Sequence, residues 1–258
     1  MFDFLKGFFS YEDFGHTFYE FSLQHLAATI IFAVLPVLFV ILLAKRIRGS
    51  GADKSLAILA GVIGLALEFT QYYWHYYGGQ TDWRHIYPTT LCGLTIYLSS
   101  IAMITGNRTL GSVIYFFSHG AFFSFLLPQL SFGYDRFRFY AYFVIHGLIF
   151  FNAAYLLLVR GIKADKKAMI TSGIILLPVL VLSVVFNHLF SDPDLSVAGS
   201  IRMNFFYLDH PPFEFPVYSW LYGIHRYLYT ASVIISYYLL LLIMRGISWL
   251  LKLDGRKP

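Results

Sequence analysis

The chain has 258 residues, of which 58% are hydrophobic, 20% are aromatic and only 13% are charged. A soluble domain carries about a quarter charged residues, so this composition excludes an ordinary soluble domain. The formal net charge of +5 does not indicate nucleic-acid binding, because the basic residues lie between apolar runs and form no patch with interleaved aromatic residues.

Residues 1–22 are Phe-rich and acidic and have no basic leader, so we expect an interfacial segment rather than a cleavable signal peptide. Apolar runs that approach or exceed the roughly 20 residues needed to cross a bilayer then recur along the chain. Lipid offers the backbone no hydrogen-bond partners, so such runs form helices. We therefore predict an all-α, polytopic membrane helix bundle of about seven transmembrane helices. The predicted spans cover residues 23–45, 56–77, 85–105, 109–130, 138–160, 167–190 and 219–250.

Only one connection between the predicted spans is long. Residues 191–218 are Pro-rich and are predicted to form an extracytoplasmic loop. Its aromatic stretch, residues 204–212, suits a lid over a cavity mouth, and it equally suits an amphipathic loop that lies on the headgroups. No linker separates a second domain, so residues 1–258 are expected to form a single transmembrane domain.

Lysine and arginine positions predict the orientation. Most of the 19 basic residues lie in alternate connections and after the last span. Connections rich in Lys and Arg remain in the cytoplasm, and this asymmetry requires an odd number of spans. We therefore expect the N-terminus outside, the C-terminus inside, and a multi-pass protein of the cell (cytoplasmic) membrane.

Polar side chains within the spans gather in the outer half of the predicted bundle. With about 1.5 Å of rise per residue, Cys92 and His146 lie roughly 10 to 12 Å from the outer ends of their spans. The same half contains Glu68, Gln71, His119 and His225, and His25 and Asn187 lie near outer span ends. Polar groups inside a bilayer are costly and usually face a cavity or a partner. The pattern predicts a polar cavity open toward the outer face.

Cys92 and His146 share a depth, and a cysteine beside a histidine can act as a nucleophile with its base. A lone cysteine in an apolar helix is also often a small buried hydrophobe, so both interpretations stay open. Glu68 and Gln71 lie on one helical face. Glu68 could orient a histidine or donate a hydrogen bond as a protonated carboxyl, or it could pair with a histidine or Arg226 between two spans. His25, His119 and His225, taken singly, could each be a core residue. The sequence has no HxxxH or HExxH pair, so we expect no metal and no cofactor.

An ordered set of short motifs runs from about residue 20 to 240 and resembles one membrane-protein family. The motifs are His25, Glu68-x-x-Gln71-x-x-Trp74, Pro88-Thr-Thr-Leu-Cys92, Pro128, His146-Gly147, Asn187 and an Asn204-Phe-Phe-Tyr-Leu-x-x-Pro211 segment. They are similar to the YwaF-like bacterial integral membrane proteins, a group that includes eukaryotic transmembrane protein 164. Three departures affect the expected choice of substrate: the residues around Pro88, about ten extra residues before Asn204, and the Phe205-Phe206 pair.

The resemblance implies a membrane-embedded acyltransferase that moves a fatty acyl chain from a phospholipid to a lysophospholipid without coenzyme A. The nucleophilic cysteine of the family corresponds to Cys92, and its histidine to His146. We expect Glu68, Gln71, Asn187, His25 and His119 to orient or support this pair, and Arg226, His225, Asn204 and Tyr207 to bind the lipid headgroup. The alternatives are an intramembrane lipid ester hydrolase that uses the same pair, and a non-enzymatic carrier of lipid or small solutes.

Overall fold

The computed structural model describes residues 7–10, 16–78, 88–192, 202–211 and 216–255. Across these residues the regular structure is helical, and extended pairing is confined to an isolated bridge between Thr17 and Phe132. The predicted all-α, polytopic fold is confirmed. Most of the predicted interfacial segment 1–22 and a large part of the connection 191–218 lie outside the described residues.

The described part of the chain contains eight helices of at least nine residues. They are α1 (Leu23–Ile47), α2 (Gly51–Tyr77), α3 (Leu91–Thr105), α4 (Arg108–Leu126), α5 (Phe137–Leu158), α6 (Lys166–Phe190), α7 (Pro216–Ile224) and α8 (Arg226–Leu250). Six of them, all except α3 and α7, are long and apolar enough to cross a bilayer. The remaining predicted span, 85–105, corresponds to the shorter apolar helix α3.

The last span begins later than the sequence indicated. Residues 219–250 were predicted as one helix, but the chain is extended at His225, with φ −166° and ψ 128°. Helix α7 ends before this residue, and the His225 side chain caps α8 by accepting a hydrogen bond from the Tyr227 amide at 3.2 Å. The predicted position of His225 inside the span is therefore wrong, because the spanning helix begins after this residue, at Arg226.

The chain packs as two compact units, which are described separately. The first unit takes in Met1–Ile86 and Cys92–Lys163, and the second takes in Tyr87–Leu91 and Ala164–Pro258. The expectation of a single transmembrane domain stays a prediction.

Helix α5 is the centre of the first unit. It contacts α1, α2 and both halves of α4, and it is the most buried of the long helices. Its apolar side chains divide between an aromatic cluster that contains Phe139 and Phe143 and an aliphatic cluster that contains Ile145 and Ile149. The aliphatic cluster also brings Ile96 of α3 against α5, so α5 positions both α3 and α4.

A glycine allows α1 and α5 to approach closely. Pro36 has no N–H, so it cannot donate to the Phe32 carbonyl as an α-helix requires, and a π-helical turn at Ile30–Val34 precedes it. A Cβ atom at Gly147 would overlap the carbonyl oxygen of Phe32. The two backbones can therefore meet only because residue 147 has no side chain.

The second unit is built on the pairing of α6 with α8, against which α7 also packs. Asp165 caps α6 by accepting from the Ala168 amide at 2.9 Å. The preceding residue, Ala164, donates its amide to the carbonyl of Leu253, just beyond the C-terminal end of α8, at 3.0 Å. Side-chain contacts add to this frame, since the Tyr238 hydroxyl donates to the Gly173 carbonyl at 3.0 Å.

Substitution of Gly147 tests the α1–α5 contact. We expect Gly147→Ala to destabilise the protein by about 1–3 kcal/mol, because a methyl group must displace backbone atoms that cannot yield as a side chain would. The measurement is the thermal unfolding midpoint in detergent. Gly246→Ala in α8 is the matched control, since nothing lies within 4 Å of its Cβ position. Equal stability of the two variants would contradict the contact.

Candidate functional site

Cys92 lies in the first turn of α3, with a polar neighbour on one side and an apolar cluster on the other. Its Sγ is 3.6 Å from the Ser124 Oγ. The Ser124 hydroxyl itself donates to the Gly120 carbonyl at 3.1 Å. While the Ser124 proton is directed at Gly120, the Ser124 oxygen can only accept, so the thiol is the donor in this arrangement. The position at a helix N-terminus contributes a favourable interaction with any negative charge on the sulfur.

His146 is held in one tautomer. Its Nδ1 lies 2.7 Å from the Tyr142 carbonyl oxygen, which can only accept. The neutral ring therefore carries its proton on Nδ1 and keeps the lone pair on Nε2. A general base requires such a lone pair, so His146 has the correct tautomer for that role.

Tyr142 connects the surroundings of the cysteine with those of the histidine. Its hydroxyl donates to the Ser124 carbonyl at 2.9 Å, and its ring centroid is 4.4 Å from that of His146. Within the described residues Cys92 and His146 share no hydrogen bond with each other. The structure brings both into one constellation through the Ser124–Tyr142 pair, which the sequence reasoning did not identify.

Arg138 joins the two polar residues of α2 to this constellation. Its guanidinium donates to the Gln71 Oε1 at 2.7 Å and lies 5.5 Å from the Tyr142 ring centroid. The positive charge of Arg138 also interacts with the Glu68 carboxyl group and with the His146 imidazole. The sequence reasoning missed Arg138 because it counted this residue only as a boundary charge. The spacing of Arg138, Tyr142 and His146, four residues apart along one helix face, could have revealed it.

Two other histidines of the first unit, His25 and His119, have different surroundings. The His25 Nδ1 accepts from the Phe21 amide at 3.0 Å, and its Nε2 donates to the Phe125 carbonyl at 2.8 Å. His25 therefore has no lone pair left for chemistry and instead holds the residue that follows Ser124. The His119 Nδ1 donates to the Phe116 carbonyl at 2.6 Å, and within the described residues its buried Nε2 has no partner.

In the second unit, Asn187 holds the aromatic segment 202–211. Its Oδ1 accepts from the Phe205 amide at 2.6 Å, and its Nδ2 donates to the Phe205 carbonyl at 3.2 Å. The next amide, of Phe206, donates to the Thr89 carbonyl at 2.7 Å. Thr89 precedes Cys92 by three residues. The segment therefore anchors the stretch of chain that leads into the cysteine helix.

The same segment ends in a buried carboxylate. The Asp209 side chain is 3% exposed and accepts hydrogen bonds from the Arg202 Nε at 2.6 Å, from the His210 Nδ1 at 3.0 Å and from Arg226. The Asn204 Oδ1 accepts from the Asp209 amide at 3.1 Å, which fixes the turn.

The four residues predicted to bind a headgroup all belong to the second unit, and they differ in their contacts. Asn204 bonds within its own segment, and Tyr207 accepts a hydrogen bond from Tyr229 through its backbone carbonyl. His225 caps α8, whereas the half-exposed Arg226 directs its guanidinium at Asp209.

Acid should weaken the Asp209 turn. Burial alone would raise the pKa of Asp209, but the hydrogen bond from His210 and the charges of Arg202 and Arg226 hold this pKa below its ordinary value. A depressed pKa in the folded state contributes stability at higher pH, and this contribution is lost as pH falls through the folded value.

We therefore expect the unfolding temperature in detergent to fall more steeply with acid for the wild type than for Asp209→Asn. The difference should develop below about pH 4, where an unperturbed carboxylate begins to protonate. The measurement is a series of unfolding midpoints against pH for both proteins. Parallel curves for the two proteins would contradict the assignment.

Comparison with known proteins identifies one family. The model of the TMEM164 family matches residues 20–243, a range that takes in every motif residue from His25 to Pro211. No curated protein and no solved structure matches the chain. The match covers most of the sequence, and the fold has the apolar helices of a multi-pass membrane protein. The chain therefore belongs to the TMEM164 family.

Proposed function

We propose that this protein is a membrane-embedded acyltransferase that moves an acyl chain from a phospholipid to a lysolipid, without coenzyme A, through a thioester on Cys92. The observation that carries the proposal is the constellation of Cys92, Ser124, Tyr142 and His146. It combines a thiol at a helix N-terminus with an imidazole whose Nε2 keeps its lone pair. Family membership supports the proposal, since the resemblance implies the same activity.

The first half-reaction breaks the ester of the donor lipid. Substrate binding turns the Cys92 thiol from Ser124 toward the Nε2 of His146, which takes the thiol proton. The thiolate attacks the ester carbonyl and forms a C–S bond. The C–O bond to the glycerol oxygen then breaks, and His146 returns its proton to that oxygen, so the lysolipid leaves as an alcohol. Hydrogen bonds between catalytic groups commonly tighten only with substrate bound, which is consistent with the separate contacts of Cys92 and His146.

The second half-reaction reverses these roles. A lysolipid hydroxyl attacks the thioester while His146 accepts its proton, a new C–O bond forms, and the proton passes to the departing sulfur. The apolar cluster behind Cys92, with Ile96, Ala121, Ile145 and Ile149, limits the access of water. Exclusion of water is what makes transfer to a lipid hydroxyl outcompete hydrolysis.

Arg138 and the α2 pair act as positioning residues in this proposal. Gln71 holds the guanidinium at 2.7 Å, and Tyr142 lies beneath it. Because Tyr142 also bonds the carbonyl of Ser124, Arg138 and Gln71 stabilise the arrangement of the residues next to the thiol. We propose that the constellation faces the outer leaflet of the cytoplasmic membrane, as the distribution of basic residues predicts.

A trapped acyl-enzyme tests the proposal. Purified protein in nanodiscs that contain phospholipid with a radiolabelled acyl chain should form an adduct that hydroxylamine releases. Cys92→Ala should abolish this adduct, and His146→Ala should slow its formation by about 10²–10⁴-fold, the usual contribution of a general base. Thr105→Ala, at the opposite end of α3, is the matched control and should leave the adduct unchanged.

Addition of lysolipid separates the alternatives. Passage of the label from protein to lysolipid supports acyl transfer. Loss of the label only as free fatty acid indicates the ester hydrolase instead. Failure of the wild type to form any adduct, with lipid binding retained, would overturn the enzymatic proposal and favour a carrier.

A further inference from the structure

Two arginines share one buried carboxylate at the start of α8. The Asp209 side chain is 3% exposed, whereas those of Arg202 and Arg226 are 38% and 47% exposed. Arg202 approaches one carboxylate oxygen at 2.6 Å, and Arg226 approaches the other. Two guanidinium groups against one carboxylate leave a net charge of +1, carried on the exposed side.

The paired arginines keep unused hydrogen-bond donors. Across the described residues, Arg226 donates only to Asp209, and Arg202 donates only to Asp209 and to the Tyr222 hydroxyl at 2.8 Å. Each guanidinium has five N–H groups in a planar fork that matches the oxygens of a phosphate. One cation would suffice to neutralise Asp209, so a structural role for the carboxylate does not account for the second arginine.

Hydrogen bonds hold the chain around Asp209 in place without any ligand. The Thr230 hydroxyl donates to the Leu208 carbonyl at 2.8 Å, and Thr230 is one turn beyond Arg226 on α8. The Asn204 side chain bonds the amides of Asp209 and His210 at 3.1 and 3.3 Å. Both arginines are therefore held by a carboxylate that is itself fixed, which lowers the entropy cost of binding an anion.

The position of Arg226 along its span indicates which kind of anion the two arginines would bind. Arg226 is the first residue of α8, a helix of 25 residues that is long and apolar enough to cross a bilayer. The Trp220 and Tyr227 side chains nearby in the sequence are 65% and 72% exposed. Exposed Trp and Tyr concentrate where the bilayer meets water, at the depth of the lipid headgroups. This position along the span predicts that the guanidinium groups lie at the depth of the lipid phosphates.

We propose that Arg202 and Arg226 form a binding site for the phosphodiester group of a membrane phospholipid. A phosphodiester carries a single negative charge, which equals the net positive charge of the cluster, and its two non-bridging oxygens suit two arginine forks. The site deepens the proposed function by naming the recognised part of the lipid. It rests on that function only in treating the bound lipid as a substrate.

Lipid binding is measured in the Cys92→Ala protein, so that no turnover takes place. Native mass spectrometry compares the retention of phosphatidylglycerol with that of diacylglycerol bearing the same acyl chains. The double variant R202Q/R226Q should reduce the preference for the phospholipid by about ten-fold or more, as expected for the loss of charge-assisted hydrogen bonds. R245Q is the matched control, because Arg245 pairs with Asp254 at 3.1 Å at the opposite end of α8, and it should leave the preference unchanged.

A conservative variant separates shape recognition from charge. R226K keeps the charge but loses the planar fork, so its preference should fall between those of the wild type and the double variant. If the double variant fails to elute as a monodisperse helical protein, the phospholipid preference is compared between the wild type and R226K alone. An unchanged preference in R226K and R202Q/R226Q would overturn the site.

Inorganic phosphate distinguishes a lipid site from a site for a free anion. Millimolar phosphate that abolishes the phospholipid preference of the wild type would overturn the assignment to lipid, and retention of the preference supports it. Absence of an acyl adduct in the protein with Cys92 intact, together with an intact preference, would count against acyl transfer and leave this site standing.

Discussion

The contact between Gly147 and the carbonyl oxygen of Phe32 sets how closely α5 can approach α1. Helix α5 in turn contacts most of its unit, and the face that carries Arg138, Tyr142 and His146 is fixed by where this helix lies. His146 directly precedes the glycine, so its imidazole and the close contact lie on the same turn. The chemistry proposed for this site therefore depends on a packing constraint, because a displacement of the imidazole by about 1 Å would change the geometry that the proposed proton transfer requires.

Within the second unit, backbone and side-chain hydrogen bonds fix the stretch of chain around Thr89. Asn187 uses both ends of its amide on Phe205, and the following amide, of Phe206, bonds the carbonyl of Thr89. Phe206 and Tyr207 adopt positive φ angles of 54° and 56°, which non-glycine residues rarely do. Such a conformation persists only where surrounding contacts determine it, as the hydrogen bonds of this segment do. A segment more than a hundred residues away in sequence thus helps to place the start of α3.

Hydropathy predicted the helices well, because the length of an apolar run has a direct physical meaning in a bilayer. It did not predict the break at His225, since a single extended residue changes no window average. The grouping of Cys92 with His146 followed from register along their spans, whereas Ser124 and Tyr142 carry no charge and gave no signal. Backbone pairings such as those of His25 and Asn187 depend on residues brought together by folding, so local sequence cannot reveal them. Orientation and the substrate stay predictions from charge and from family resemblance.

The commitment of the Ser124 hydroxyl to the Gly120 carbonyl has a consequence for the resting protein. While the serine proton is directed at that carbonyl, Cys92 meets Ser124 as a protonated thiol, and a protonated thiol is a poor nucleophile. Peroxides and alkylating electrophiles that diffuse through the bilayer react with thiolates, so a thiol held in this arrangement offers them little to attack. In this arrangement the chain's single sulfhydryl is in the form that resists oxidation and alkylation.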